Sequence, residues 1–332
     1  MRKRGIFAAF LVVGFVVGWG VLTLYSPHHA TYAIGLQKAG RHPRSRLKGR
    51  RGHTAGTLKL SREYPHVREV LYNRLPKCGS TSLKALTRRL AKKNHFHFKE
   101  SNIWDQFQLN QTGLKAFAED FYTVPSPFIY ERHVYFVDFE QLGLKSPKYI
   151  NLVRDPLDRI VSSFHFMRYG RKGGPNHIVT RLFNKYHNET DRNQTFDSCV
   201  LNRSKECWGP RVNLMTHFFC GQDPVCRDPE SIKALDKAKE NIRRHYLVVG
   251  LLEDFNGFLK VLSKILPQFY RGVTDLWKDL APNVQEAQKT VRKQPPSPLA
   301  QKLMQQRMYM DYELYTFIQD RFRRQKLELG IH

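Results

Sequence analysis

The chain has 332 residues, with 55 Lys and Arg against 29 Asp and Glu and a formal net charge of +26. That length holds one large globular domain with an anchor to spare. The charge directs the search for partners toward polyanions and away from cations, without separating nucleic acid, an anionic membrane surface and a sulfated polysaccharide.

No acidic residue precedes Glu63, whereas twelve Lys and Arg residues lie at or before Arg62, which leaves 43 basic against 29 acidic residues in the remainder. The part expected to fold is therefore basic in its own right. At the start, Arg2, Lys3 and Arg4 precede Gly5–Tyr25, which is uncharged and almost wholly apolar. About 20 such residues let a helix cross a bilayer, and the flanking cations place the N-terminus in the cytosol. No clear small-x-small cleavage site follows Tyr25, which, with an apolar core longer than usual, argues against a cleaved signal peptide. The expected organisation is a cytosolic tail at 1–4, a type II signal anchor at 5–25, a basic stem at 26–65 and a lumenal domain at 66–332.

Sequons at Asn110, Asn188, Asn193 and Asn202 fit a glycosylated lumenal domain. Of the five cysteines, four fall within 28 residues, and local pairing in an oxidising compartment gives Cys199–Cys207 and Cys220–Cys226 as disulfides. Cys78 is left over. A zinc site is the other reading of the cluster, but the closely spaced pairs usual for zinc are missing. No metal is expected.

In chain order, Glu69–Leu75 reads as a strand and Pro76–Ser82 as a turn-rich loop. Leu83, Leu86 and Leu90 recur at helical spacing, ending near Asn94. Phe128–Phe136 and Lys148–Arg154 are further strands. The second runs into Asp155-Pro156, an N-cap followed by proline at the first helical position, and Leu157, Val161 and Phe164 then share one face. His245–Gly250 reads as a buried strand, with Phe255, Phe258, Leu259, Leu262 and Leu266 as a helical stripe behind it. Pro298 opens a final long helix with Leu303, Leu314, Phe317 and Ile318 on its buried side. Alternating strands and helices predict an α/β domain with a mainly parallel sheet flanked by helices, which binds ligands beyond the carboxyl ends of its strands.

Two such ends carry the residues of an anion site. In the loop Pro76–Ser82, Gly79 permits a tight turn. The amides of Ser80, Thr81 and Ser82 would open a helix, and Lys77 adds a full charge. At the other end Arg154 leaves a strand and Ser162 returns two helical turns later, an arrangement suited to a second phosphate. Each element has a plainer reading: a capped helix for the first, a local ion pair with a cap for the second. Together they suit a nucleotide phosphorylated at both ends of its ribose.

Tyr72–Ser82 (YNRLPKCGSTS) resembles the 5′-phosphosulfate loop of sulfotransferases, and Ile150–Phe164 (INLVRDPLDRIVSSF) resembles their 3′-phosphate motif. Glu131–Phe139, His217–Pro229, Leu247–Phe255 and Pro267–Trp277 are similar to stretches of the glycosaminoglycan uronyl 2-O-sulfotransferases, so the likeness runs from about residue 68 to 325. The Phe-Cys-Gly-Gln run and Lys289–Pro298 resemble the chondroitin/dermatan enzymes more than the heparan sulfate ones. The resemblance implies a P-loop-like sulfotransferase fold and transfer of a sulfuryl group from 3′-phosphoadenylyl sulfate (PAPS) to the 2-hydroxyl of a uronic acid. It implies that Lys77, Cys78, Gly79, Ser80, Thr81 and Ser82 hold the 5′-phosphosulfate. Arg154 and Ser162 would hold the 3′-phosphate, His133 would be the base, and Arg74 would touch substrate. Lys289, Thr290 and Lys293 would lie in a loop closing over the nucleotide. It implies further a glycosaminoglycan partner rather than nucleic acid, a Golgi membrane location and a homotrimer. Cys78 departs from a Thr, and Glu131 from a second active-site His, of the heparan sulfate enzymes.

The chemistry fits these side chains, since His is poised to act as a base near neutral pH and Lys77 could stabilise charge on a leaving phosphate oxygen. Two other readings compete. A Golgi glycosyltransferase is disfavoured by the missing Asp-x-Asp, and a non-catalytic glycosaminoglycan-binding protein by retention of Lys77, Arg154, Ser162 and His133.

Overall fold

The computed structural model describes residues 62–332 apart from 104–105, 175–178, 180–182, 185–187 and 229–230. The expected anchor, and the stem as far as residue 61, lie outside the described residues. Tyr64 already packs in the core and its backbone N–H bonds to Ile265 O, so the folded part includes a residue that composition assigns to the stem.

Five parallel strands form one sheet in the order β2-β3-β1-β4-β5: β1 Glu69–Asn73, β2 His97–Glu100, β3 Phe128–Arg132, β4 Lys148–Val153 and β5 Tyr246–Leu251. Parallel strands need long crossovers, and those put helices on both faces. The strands inside the edge strand β2 are accordingly largely buried on both faces rather than alternating, and successive residues feed opposite cores. Leu71, Tyr130 and Tyr149 belong to one cluster; Val70, Ile129 and Ile150 belong to the other.

On the first face pack α2 (Gln111–Tyr122), α4 (Leu214–Cys220) and α5 (Ile232–His245). On the second pack α1 (Ser80–Lys93), α6 (Phe255–Ile265) and α7 (Val273–Gln288). Leu83, Leu86 and Leu90 of α1 are fully buried there, each contributing about 1.5–3 kcal/mol. A third cluster joins α3 (Pro156–Tyr169) to Phe196, Val200 and the start of α8 (Pro298–Arg307).

The expected strands and the α3 start are present; β1, β3 and β4 end sooner than expected and β5 is shifted by one residue. The strand expected over Phe128–Phe136 stops at Arg132, because Val134, Phe136 and Val137 are buried by packing without a ladder partner. The final helix is two helices, α8 and α9 (Tyr309–Glu328), broken at Met308. The break has a packing reason: Ala300, Met304 and Met308 serve the third cluster, whereas Leu314, Tyr315 and Ile318 serve the first.

The cysteines pair as expected, Cys199 with Cys207 and Cys220 with Cys226, and Cys78 is buried and reduced. Closing loops this short stabilises by about 2 to 3 kcal/mol each through chain entropy. Peptide mapping under non-reducing conditions should return these two bridges, and any bridge to Cys78 would contradict them. All four sequon asparagines are exposed, and Asn110 and Asn188 also cap helices through their side-chain oxygens.

Candidate active site

β1 is the point where the chain, having laid β2 and β3 on one side, crosses to lay β4 and β5 on the other. Ligands bind at such switch points, outside the carboxyl ends of the strands. Three loops meet there: Arg74–Gly79 after β1, His133 after β3, and Arg154-Asp155 after β4. Asn151 of β4 fastens the first of these, since its Nδ2 donates to Asn73 O and its Oδ1 accepts from the Leu75 N–H.

The loop after β1 turns through two left-handed residues, Lys77 (φ 66) and Gly79 (φ 74). Glycine is favoured at the second by its positive φ, and a Cβ there would also push aside the end of the Leu252 side chain, 2.4 Å away. Lys77 adopts a conformation that costs a side-chain-bearing residue of order 1 kcal/mol. Gly79 caps α1 without a side chain, and no acidic residue follows in the first turn. The helix therefore presents uncompensated positive partial charge, the setting for an anion. Ser82 departs from expectation: its amide is taken by Gly79 O at 3.0 Å, leaving Ser80 and Thr81 as the outward amides.

Lys77 is partly exposed at its surface yet has protein on most sides. Its Nζ lies 3.5 Å from the centroid of the Phe166 ring. Burial, then the charges of Arg154 and Arg171, lower its pKa to about 7. Cys78 turns the other way, its Sγ–H meeting Pro76 O at 3.6 Å, and burial pushes the thiol up to about 12. The thiol stays protonated and inward, so any part Cys78 plays in anion binding is confined to its backbone.

At the second end, Asp155 caps α3 and its own N–H donates to Glu253 Oε1 at 2.9 Å. Arg154 Nη2 sits 2.9 Å from Asp158, which also meets Lys293 at 3.4 Å. Ser162 is buried and its Oγ lies 3.3 Å from Thr290 Oγ1. Residues 286–291 are zipped to 170–173: Val291 N–H bonds to Gly170 O, Lys172 N–H to Lys289 O, and Arg171 Nη1 to Gln288 Oε1. The strap brings Thr290 and Lys293 to the site. It does not bring Lys289, which is 63% exposed and paired with Glu286. The ammonium of Lys289 faces away because the antiparallel bridge uses its neighbour Thr290.

After β3, His133 is buried, and its Nδ1 is 2.8 Å from Arg74 O. A carbonyl only accepts, so Nδ1 carries the proton and Nε2 the lone pair. Burial, then the Arg74 charge, lower the His133 pKa to about 3, which keeps the ring neutral. Arg74 differs from expectation. Its guanidinium is 6% exposed, ion-paired with the buried Glu131 carboxylate, and within 3.4 Å of Ser80 Oγ. It is turned into the sheet end rather than held out to a substrate.

The arrangement sets a neutral, oriented imidazole beside a cradle containing Lys77, Arg154, Arg171 and Lys293. Such a site can take a proton on one side while stabilising a developing oxyanion on the other. Arg171 belongs to no motif of its own, and its only local signal is a Tyr-Gly-Arg-Lys turn after α3.

The Sulfotransferase family profile matches residues 65–318. Among similar proteins, "Uronyl 2-sulfotransferase" of Mus musculus is 34% identical over 273 residues, 82% of this chain and 66% of that protein. "Heparin sulfate O-sulfotransferase" of Drosophila melanogaster is 33% identical over 267 residues, covering 78% of this chain and 73% of that protein. "Heparan sulfate 2-O-sulfotransferase 1" of Xenopus laevis is 32% identical over 265 residues, covering 76% and 70%. The alignment thus spans just under two thirds of the uronyl relative's length.

Proposed function

The chain belongs to the sulfotransferase family, and from that membership we propose that it transfers a sulfuryl group from PAPS to the 2-hydroxyl of a uronic acid in a glycosaminoglycan. The observation that carries this reading is the meeting of a neutral His133 with the Lys77 and Arg154 strand ends around β1. In the further detail of the reading, the acceptor is dermatan or chondroitin sulfate. A heparan sulfate acceptor is the second reading, favoured by the heparan relatives at 31–33% identity.

The residues fit the donor. Lys77 and the Ser80 and Thr81 amides suit its phosphosulfate, and Arg154 with the Ser162–Thr290 pair suits the 3′-phosphate. The donor supplies a sulfuryl group activated by its bond to phosphate. His133 Nε2 takes the proton of the acceptor hydroxyl as that oxygen bonds to sulfur. Lys77 Nζ stabilises the charge left on the departing phosphate oxygen. Incubation with radiolabelled donor and desulfated dermatan, chondroitin and heparan should label at least one polymer. Failure with all three, or sugar transfer from a nucleotide sugar, would contradict the proposal.

Arg154→Ala should weaken binding of the desulfated nucleotide by about 1.5 to 3 kcal/mol, the worth of a charge-assisted contact, and change acceptor binding little. Calorimetric titration reads this, and an unchanged dissociation constant would remove Arg154 from the nucleotide site. A lumenal Golgi placement behind a type II anchor belongs to the same proposal. It is supported by the apolar run Gly5–Tyr25, the exposed sequons and the two disulfides. Protease protection in intact microsomes tests it.

A further inference from the structure

The buried pair Arg74–Glu131 has no part in the chemistry above, yet Arg74 touches both His133 and the first residue of the helix that opens the anion cradle. Arg74 is held on four sides. Its backbone N–H donates to Arg132 O at 3.0 Å, and its carbonyl accepts from His133 Nδ1 at 2.8 Å. Its guanidinium reaches Ser80 Oγ at 3.4 Å and is ion-paired with the Glu131 carboxylate. Parallel pairing sets Tyr72 opposite Glu131 and Asn73 opposite Arg132, so the side chain of Arg74, just past β1, can fold back onto that of Glu131. The pair therefore ties the base-bearing end of β3 to the first residue of α1, where the anion cradle begins.

Glu131 is badly placed to act as a base itself. It is 1% exposed, and its carboxylate is closed off by the guanidinium. The charged groups facing it are Arg74 from just past β1, Lys84 from α1 and Glu100 from β2. Without its carboxylate, Arg74 would lose the partner that fixes the guanidinium, and would stand as an unbalanced charge beside His133. A shift of even an ångström in a catalytic group can cost about 100-fold in rate.

Resting on the reading of His133 as base, we propose that Glu131 is a positioning residue that acts through Arg74. It clamps the guanidinium so that the Arg74 carbonyl holds His133 in the Nδ1–H tautomer, at a fixed separation from Ser80 and the phosphosulfate loop. A carboxylate at this position is thus part of how this chain sets the distance from base to donor.

The test compares Glu131→Gln in two backgrounds, wild type and His133→Ala, with sulfate transfer and nucleotide titration on each protein. Gln keeps the shape and an acceptor oxygen but removes the charge. In the wild-type background kcat should fall about 10- to 100-fold, with the nucleotide dissociation constant changed less than about threefold. In the His133→Ala background the same substitution should change kcat by less than about twofold, because a residue acting through His133 has nothing left to position. Equal losses in both backgrounds would overturn the proposal, as would an unchanged kcat in the first. If Glu131→Gln does not fold, Arg74→Lys is read in the same way, since an ammonium cannot span both Glu131 and Ser80. A wild-type protein that transfers no sulfate would overturn the functional reading and this proposal together; wild-type transfer with an indifferent Glu131→Gln overturns this one alone.

Discussion

His133→Ala should bind nucleotide and polysaccharide as the wild type does and lose about 10²- to 10⁴-fold in kcat, the range that a general base contributes. The loss follows from geometry: Nδ1 is committed to Arg74 O, so Nε2 is the basic nitrogen. The pH profile gives a second signature. With no donor bound, burial and Arg74 hold the ring at a pKa of about 3. The anionic donor adds negative charge beside the ring and must raise that value. The acid limb of kcat should therefore lie at higher pH than that of kcat/KM, and both limbs should be missing from the mutant's residual rate. Stability carries the same sign. The unfolded histidine, with a pKa near 6.5, binds protons that the folded one does not. Stability is thus lost as pH falls from about 6.5 toward 3, and His133→Ala should reduce that loss. A mutant as active per folded molecule as wild type would remove His133 from the reaction.

Lys77→Met should be as slow, and unlike His133→Ala it should also bind nucleotide weakly. Its ammonium shares the cradle with Arg154, Arg171 and Lys293, and its pKa is lowered to about 7. Binding an anion favours the charged form, so nucleotide binding should draw a proton onto Lys77. Affinity should then fall as pH rises above about 7, toward the ordinary lysine value near 10.4. Calorimetry in buffers of differing ionisation enthalpy should show proton uptake at about pH 8 for the wild type and none for Lys77→Met. Wild-type binding without uptake would mean that Lys77 is already charged in the free protein.

Much of this site was legible because its signals are local. The PKCGSTS turn and the Arg-Asp-Pro helix start each combine a charge, a turn former and a helix signal within a few residues. The disulfides were readable for the same reason, their partners being 8 and 6 residues apart. What was missed depends on distant pairing. β2 (HFKE) is a short, half-exposed edge strand with no apolar pattern of its own, and it exists because β3 pairs with it. The substrate contact of Arg74 is implied by the resemblance alone, and its pairing with Glu131 has no local signal, since Glu131 lies 57 residues on and meets it only through the β1–β3 register. The break at Met308 has neither proline nor glycine to mark it; it reflects two cores competing for one stretch of chain. Lys289 and Lys293 look equivalent in sequence, and the zipper along 170–173 separates them, one to solvent and the other to Asp158.

The atom that receives the sulfuryl group defines the proposed activity. Disaccharide analysis of the labelled polymer, after depolymerisation, locates that atom directly. Label on the 2-hydroxyl of the uronic acid, from whichever of the three polymers is accepted, is the predicted result. Label on the hexosamine, at oxygen or nitrogen, would rule out a uronyl 2-hydroxyl acceptor even if transfer itself were efficient.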